Sequence, residues 1–202
     1  MAQSAFRYII EDDYDSEFRL TGQPIPTLQS IDVLEKVIYI NTFTKTLAST
    51  VRISYMVLPK HLVKAYYAKM QFYSCTVSNF EQYTLAAFIN KGHFEKHINR
   101  LRIHYHDKRD MLLQCIKSSP LFNHVTIKGE DAGLHFLMKI DTELTDEIIC
   151  QRAAAKGIRI MPLSKYYYHP EKAMQHILVV NYSSLTQEQM TEATQAFNEI
   201  LG

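Results

Sequence analysis

The sequence predicts an α/β protein: a mostly parallel sheet in its first half, then a long helix, then a smaller α+β unit. Three observations point to this. Short apolar, β-prone runs at Phe6–Ile10, Val37–Ile40 and Ile53–Leu58 each end in polar residues or a proline. Apolar residues then recur at helical spacing from Leu62 to Ile116. After Pro120 the order of elements reads β-β-α-β-β-α, which fits a sheet covered on one face by helices.

Taken in order, residues 6–11 form the first strand and lead into Glu11-Asp12-Asp13-Tyr14-Asp15. Pro24 and Pro26 keep the next connection irregular, and residues 30–34 read as a turn or half-helix. A second strand over 36–41 runs into the hydroxyl-rich turn Thr42-Phe43-Thr44-Lys45-Thr46, and a third spans 53–58. Pro59 opens a helix whose stripe of Leu62, Val63, Tyr66, Tyr67 and Met70 is expected to be core. Ser78 and Glu81 have the spacing of a capping box, and Gly92 ends the helix they start. The long helix runs from His93 to about Ser118. Phe94, Ile98, Leu101, Tyr105, Leu112 and Ile116 lie near one face, and the basic residues from Arg100 to Arg109 are expected to be solvated on the other.

Strands are expected at 125–128 and 134–140 around the turn Gly129–Gly133. Thr145 caps a helix that ends at Gly157, followed by a strand over 158–161. Ser164–Pro170 is a loop whose three tyrosines are expected to pack. A last strand over 177–182 precedes a helix capped by Thr186, with Met190, Ala193, Phe197 and Leu201 on one side.

Composition narrows the function classes. A hydrophobic fraction of 47% is enough for a core in 202 residues. The net charge of +1 leaves no electrostatic footprint for nucleic acid. Cys75, Cys115 and Cys150 form no metal-ligand pattern, read mostly as buried small hydrophobes, and fit a reducing cytoplasm. His93 and His97 have zinc-ligand spacing without the acidic residue that such a motif carries, so no metal is expected. No apolar run reaches membrane-span length.

The residues with chemistry gather at two strand ends. A lone lysine in a loop is usually solvated, but Lys45 stands among threonines with Arg52 seven positions on. Its amine can be desolvated and act as a nucleophile towards an aldehyde. Thr42, Thr44 and Arg52 can hold a phosphate. In an open α/β sheet, ligands bind outside the carboxyl ends of strands, and Asp12 and Tyr14 stand at a neighbouring end.

Ile9-Ile10-Glu11-Asp12-Asp13-Tyr14-Asp15-Ser16-Glu17-Phe18-Arg19, with Thr42-Phe43-Thr44-Lys45-Thr46-Leu47 and Arg52, resembles the aminotransferase-like domain of MocR-type regulators in the GntR family. Two further stretches carry the likeness: Gly92–Arg102 with Tyr105, Lys108 and Arg109, and Gly129–His135. Ser49 and Ser54 depart from it, standing where a proline and a glycine are common.

The resemblance implies a partial fold type I aminotransferase architecture. Residues 1–92 would be the C-terminal part of a large domain that binds pyridoxal 5'-phosphate, 93–118 a connecting helix and 119–202 the small domain. It implies that Lys45 forms an internal aldimine, Asp12 pairs with the pyridinium nitrogen, Tyr14 lies near the phenolic oxygen, and Thr42, Thr44 and Arg52 hold the phosphate. The segment 175–184 lacks the arginine that usually meets a substrate carboxylate, leaving Lys165 as the nearest substitute. The implied role is effector sensing, with an amine or amino acid exchanging at Lys45; the alternative is a genuine aminotransferase acting on an amino acid and a 2-oxo acid. A homodimer is implied. Family members bind DNA through an N-terminal winged helix-turn-helix, and the chain is expected to be a C-terminal fragment without it.

Overall fold

The computed structural model describes residues 7–22, 25–48, 50–131 and 133–201. Phe6, Pro24, Ser49 and Ala132, to which the sequence assigns a strand start or loop positions, lie outside them. The chain divides into two compact units. One is the stretch ending at Glu17 together with Gly22–Arg100; the other is Phe18–Thr21 together with the chain from Leu101 onward.

The first unit is built on a three-stranded sheet in the order β1-β2-β3. β1 (Ile9–Asp13) and β2 (Val37–Thr42) are parallel, and β3 (Ser54–Val57) returns antiparallel to β2. The β1–β2 connection is held by carboxylates. Glu11 accepts the backbone N–H groups of Leu28 and Gln29 at 2.7 and 2.9 Å. Asp32 accepts those of Leu34 and Val37 at 3.0 and 2.7 Å. Carboxylates that each accept several backbone N–H groups fix where β2 begins, and so which of its residues face which way.

Three helices follow: α1 (Lys60–Met70), α2 (Asn79–Asn90) and α3 (His93–Lys117), the last continuing into the second unit. The capping box at α2 forms as the spacing predicts, with Ser78 and Glu81 each satisfying the other's backbone. Gly92 takes φ +71°, the left-handed conformation that lets the chain leave α2 and start α3 at once.

The expected burial of this unit is overturned. Ile9 and Ile10 are exposed, as are Tyr55, Met56 and Val57 of β3, and α1 has no buried residue. The α1 stripe of Val63, Tyr66, Tyr67 and Met70 is therefore exposed and not core. Helical spacing identifies the face that is apolar, but three strands and two helices supply too little apolar surface to cover it.

The second unit has a complete core. β4 (Val125–Lys128), β5 (His135–Ile140), β6 (Met161–Pro162) and β7 (Ile177–Asn181) form an antiparallel sheet in the order β4-β5-β7-β6. α4 (Asp146–Ala155) and α5 (Gln187–Leu201) complete the β-β-α-β-β-α order. Phe136, Met138 and Ile140 alternate inward along β5 and meet Leu178, Ile149 and Met190. Tyr182 is fully buried, and its hydroxyl donates to the Gly133 carbonyl at 2.8 Å.

Four expectations change here. β6 is two residues long, starting at Met161 and not at Ile158. Arg109 is 6% exposed, not solvated: its guanidinium meets Asp110 at 2.7 Å and Asp131 at 3.5 Å. A guanidinium can be buried where carboxylates and carbonyls take up its donors. Cys75 is exposed, and Cys115 and Cys150 are only half-buried. Tyr166 and Tyr168 are exposed outside the core, the Tyr168 ring meeting His169 edge-on at 5.0 Å.

Candidate functional site

The parallel register aligns the carboxyl ends of β1 and β2, with Asp12 beside Ile40 and Asp13 beside Asn41. Strand alternation then divides the residues between the two sheet faces. Asp12, Ile40 and Thr42 share one face; Asp13, Tyr39 and Asn41 share the other.

Past β2 the chain makes a hydroxyl-lined turn. Its backbone closes through Leu47 N–H to the Phe43 carbonyl and Phe43 N–H to the Ile53 carbonyl, both at 2.9 Å. Thr46 is fully buried and anchors the turn through its hydroxyl, which donates to the Phe43 carbonyl. The Thr42 and Thr44 hydroxyls are 3.0 Å apart, and the Arg52 guanidinium donates to the Thr44 hydroxyl at 3.4 Å. Those hydroxyls also reach the carbonyls of Ile53 and Val51 at 3.3 and 3.2 Å. Three side chains from eleven residues of chain thus form one hydrogen-bonded donor group.

Lys45 occupies the same turn and is exposed, so the desolvated lysine read from its threonine neighbours is not found. Asp12 is also exposed, and Tyr14 lies immediately beyond β1 with an exposed ring. The structure brings Thr42, Thr44 and Arg52 into contact, places Asp12 on the face that Thr42 occupies, and sets Lys45 between Thr44 and Arg52 along the chain. Lys165 belongs to the second unit, exposed on a short 3-10 turn at Leu163–Tyr166.

The opposite face carries a polar network that the sequence reading missed. Tyr39 donates to the Asp13 carboxylate at 2.9 Å, and the Asn41 amide donates to Tyr39 at 2.9 Å and to Glu17 at 3.3 Å. Asn41 is buried, and burial, with the Asp13 bond adding to it, pushes the Tyr39 phenol above its ordinary range. The signal was available: Tyr39 and Asn41 are two apart on β2, opposite the acids of β1.

Glu17 supplies a pH test of this network. Burial pushes its carboxyl above the usual range, opposed by hydrogen bonds from its own backbone and Asn41 and reinforced by the charges of Asp13 and Asp15. A raised folded pKa contributes stability that is full below the unfolded value and is lost as pH rises through the folded one. Glu17→Gln is therefore expected to match the wild type in acid and to be more stable near neutral pH. Urea midpoints at the two pH values check this; equal shifts at both would contradict it.

No family model matches the chain. It is 44% identical over 164 residues to an uncharacterized HTH-type transcriptional regulator, YdeL, of Bacillus subtilis, a match covering 81% of this chain and 35% of that protein. It is 31% identical over 185 residues to the probable rhizopine catabolism regulatory protein MocR of Rhizobium meliloti, covering 92% and 37%. The chain belongs to the aminotransferase-like domains of MocR-type, GntR-family regulators. It spans 35–38% of the length of three curated relatives that it matches.

Solved structures give the MocR-type domain its architecture. The kynurenine aminotransferase of Pyrococcus horikoshii superposes with a TM-score of 0.81 at 25% identity, over 96% of this chain and 47% of that one. The multiple substrate aminotransferase of Thermococcus profundus does so with a TM-score of 0.81 at 26% identity, over the same shares. The fold is that of the fold type I aminotransferases, in part. Among the described residues, no helix is long and apolar enough to cross a membrane.

In the second unit of this MocR-type domain, the loop carrying Lys165 is held at both ends by one side chain. The Asp146 carboxylate, 1% exposed at the start of α4, accepts from the Ser164 hydroxyl at 2.5 Å and the His176 N–H at 2.9 Å. His176 adopts φ +61° there, a conformation uncommon outside glycine.

Proposed function

We propose that the chain is the effector-sensing part of a transcription regulator and that it holds pyridoxal 5'-phosphate at the carboxyl ends of β1 and β2. The observation that carries the reading is the Thr42–Thr44–Arg52 group, two hydroxyls and a guanidinium within 3.0–3.4 Å contacts at the end of a parallel strand pair. Its chemistry suits a phosphate: a guanidinium offers a planar fork, and hydroxyls can rotate from the carbonyls of Ile53 and Val51 towards an anion. The location suits it too, because parallel strands leave their ligand crevice at that end.

The remaining residues fit the cofactor's other handles. The Asp12 carboxylate, on the face of Thr42, is the group to hold a pyridine nitrogen in its protonated form, and the Tyr14 phenol is the donor for a phenolic oxygen. Lys45 supplies the primary amine. Bound pyridoxal phosphate contributes an aldehyde that amines can attack and a ring that withdraws electrons. Lys165 is the cation offered to an effector carboxylate, and a small amine or amino acid is the effector class. Domains of this kind would work as a homodimer in the cytoplasm, with DNA contacted by a helix-turn-helix elsewhere in the parent protein, as the names of the curated relatives imply for them.

A genuine aminotransferase is the second reading, favoured by the solved relatives, whose names are those of aminotransferases. Against it stands the absence of arginine from 175–184, which leaves a substrate carboxylate only a point-charge lysine. Turnover separates the two. Adding pyridoxal phosphate should give a visible absorption band that Lys45→Ala abolishes. Adding amino acids should shift that band without repeated transfer to a 2-oxo acid acceptor. Sustained transfer would establish the enzyme, and the absence of a band in both proteins would end the cofactor reading.

A further inference from the structure

β1 ends at Asp13, Tyr14 and Asp15 form a bend, and a 3-10 turn starts at Ser16. Both sides of that bend are tied to β2. On one side the Asp13 carboxylate accepts the Tyr39 hydroxyl at 2.9 Å. The same oxygen accepts the Ser16 hydroxyl at 2.8 Å, closing the bend on itself. On the other side Glu17 accepts from the Asn41 amide at 3.3 Å, and that amide also donates to Tyr39 at 2.9 Å. The Tyr39 phenol, pushed above its ordinary range chiefly by burial, keeps its proton and so remains a donor to Asp13. Asn41 is buried, and bonds made at buried polar groups are costly to lose.

Asp13 itself is turned from the ligand crevice. Strand alternation puts it on the face away from Asp12 and Thr42. Its route to a ligand in that crevice is through the bend that carries Tyr14. A donor works on a ligand only where supporting hydrogen bonds hold it, within about 0.5 Å, in its productive place.

We infer that Asp13 is the positioning residue for Tyr14: by clamping Ser16 to Tyr39 it fixes the bend from which the Tyr14 phenol is presented. The role of that phenol rests on the cofactor reading above; the clamp does not. Asn41 immediately precedes Thr42 on β2, so the same network ties the Tyr14 bend to the strand that leads into the Thr42–Thr44–Arg52 group.

The test uses the 202-residue chain, pyridoxal 5'-phosphate as the probe, and a fluorine on the Tyr14 ring read by NMR. Before cofactor is added, the fluorine resonance is expected to move towards that of free tyrosine in Asp13→Ala. The same move is expected in Tyr39→Phe, which removes the same bond and keeps the ring. With cofactor, Tyr14→Phe and Asp13→Ala are each expected to weaken binding by about threefold to tenfold, the worth of one hydrogen bond. The double variant is expected to bind as weakly as Tyr14→Phe alone, because Asp13 acts through a phenol that is already gone. Combined with Arg52→Ala, the loss from Asp13→Ala is expected to multiply. A residue that merely stabilises the sheet would multiply its loss in both combinations.

A fluorine resonance unmoved in Asp13→Ala and Tyr39→Phe would overturn the inference. So would a double variant weaker than Tyr14→Phe by the full Asp13→Ala factor. Failure of the wild-type chain to bind the cofactor would end the cofactor reading, and the fluorine resonance alone would then decide whether Asp13 and Tyr39 hold the bend. If Asp13→Ala does not fold, Tyr39→Phe takes its place in both measurements.

Discussion

Phe136→Ala is expected to lower the stability of the second unit by about 3–5 kcal/mol, the usual cost of emptying a ring-sized volume in a tight core. Phe136 is 1% exposed near the start of β5, paired with Val180 of β7, and its ring stacks on Tyr182 at 6.2 Å. The neighbours cannot collapse into the gap easily, because Tyr182 is pinned by its hydroxyl to Gly133 and Leu178 by its strand pairing to Met138. A urea titration read by hydrogen exchange at β5 and β7 amides checks this. A loss below about 1 kcal/mol would show that the core is looser than these contacts require.

Asp146→Ala is expected to have the next largest effect, about 2–4 kcal/mol, from two hydrogen bonds to a charged acceptor less the burial cost that the carboxylate no longer incurs. The first bond holds Ser164 and the second holds His176, so both ends of the intervening loop come free together. The backbone N–H of His176 is then left without its acceptor at a residue already in an uncommon conformation. Faster tryptic cleavage after Lys165 and Lys172 should accompany the lost stability. Asp146→Asn, which keeps the shape and one acceptor, should fall between. Cleavage rates equal to wild type in Asp146→Ala would mean that the loop is held by something other than this carboxylate.

Elements with local signals were legible in the sequence. Ser78 with Glu81, Thr145 and Thr186 mark helix starts because their side chains reach backbone N–H groups two or three residues on, which is a property of neighbours. β4 and the turn from Gly129 were legible for the same reason, since a left-handed glycine leaves its mark in the sequence. Burial was less legible. The stripes of α1 and of unit 2's helices have the same periodicity, yet one faces water and the others face a core, because periodicity does not say what lies opposite. The burial of Arg109 and of Asp146 was not legible, because Asp131, Ser164 and His176, which meet them, are distant in sequence: a charge reads as surface until the groups that cover it are known.

The candidate site divides in the same way. Thr42, Thr44 and Arg52 were recognisable because all three lie between the end of β2 and the start of β3. The placement of Asp12 with Thr42, and of Asp13 with Tyr39, needed the parallel register, which a one-residue slip would have reversed. For Lys45 the sequence offered both a solvated lysine, the usual state of a lone one in a loop, and a desolvated one; it is exposed, because threonine neighbours along the chain do not by themselves wall in a side chain.

The central claim, that Lys45 is the amine that holds pyridoxal phosphate, is tested most directly by trapping. The chain is incubated with the cofactor, treated with borohydride to fix it covalently to whichever amine holds it, digested and mapped by mass spectrometry. The claim predicts a single phosphopyridoxyl label on the peptide containing Lys45, lost in Lys45→Ala and reduced in Arg52→Ala. A label centred on Lys165, or spread evenly over the exposed lysines and unchanged in Arg52→Ala, would contradict it.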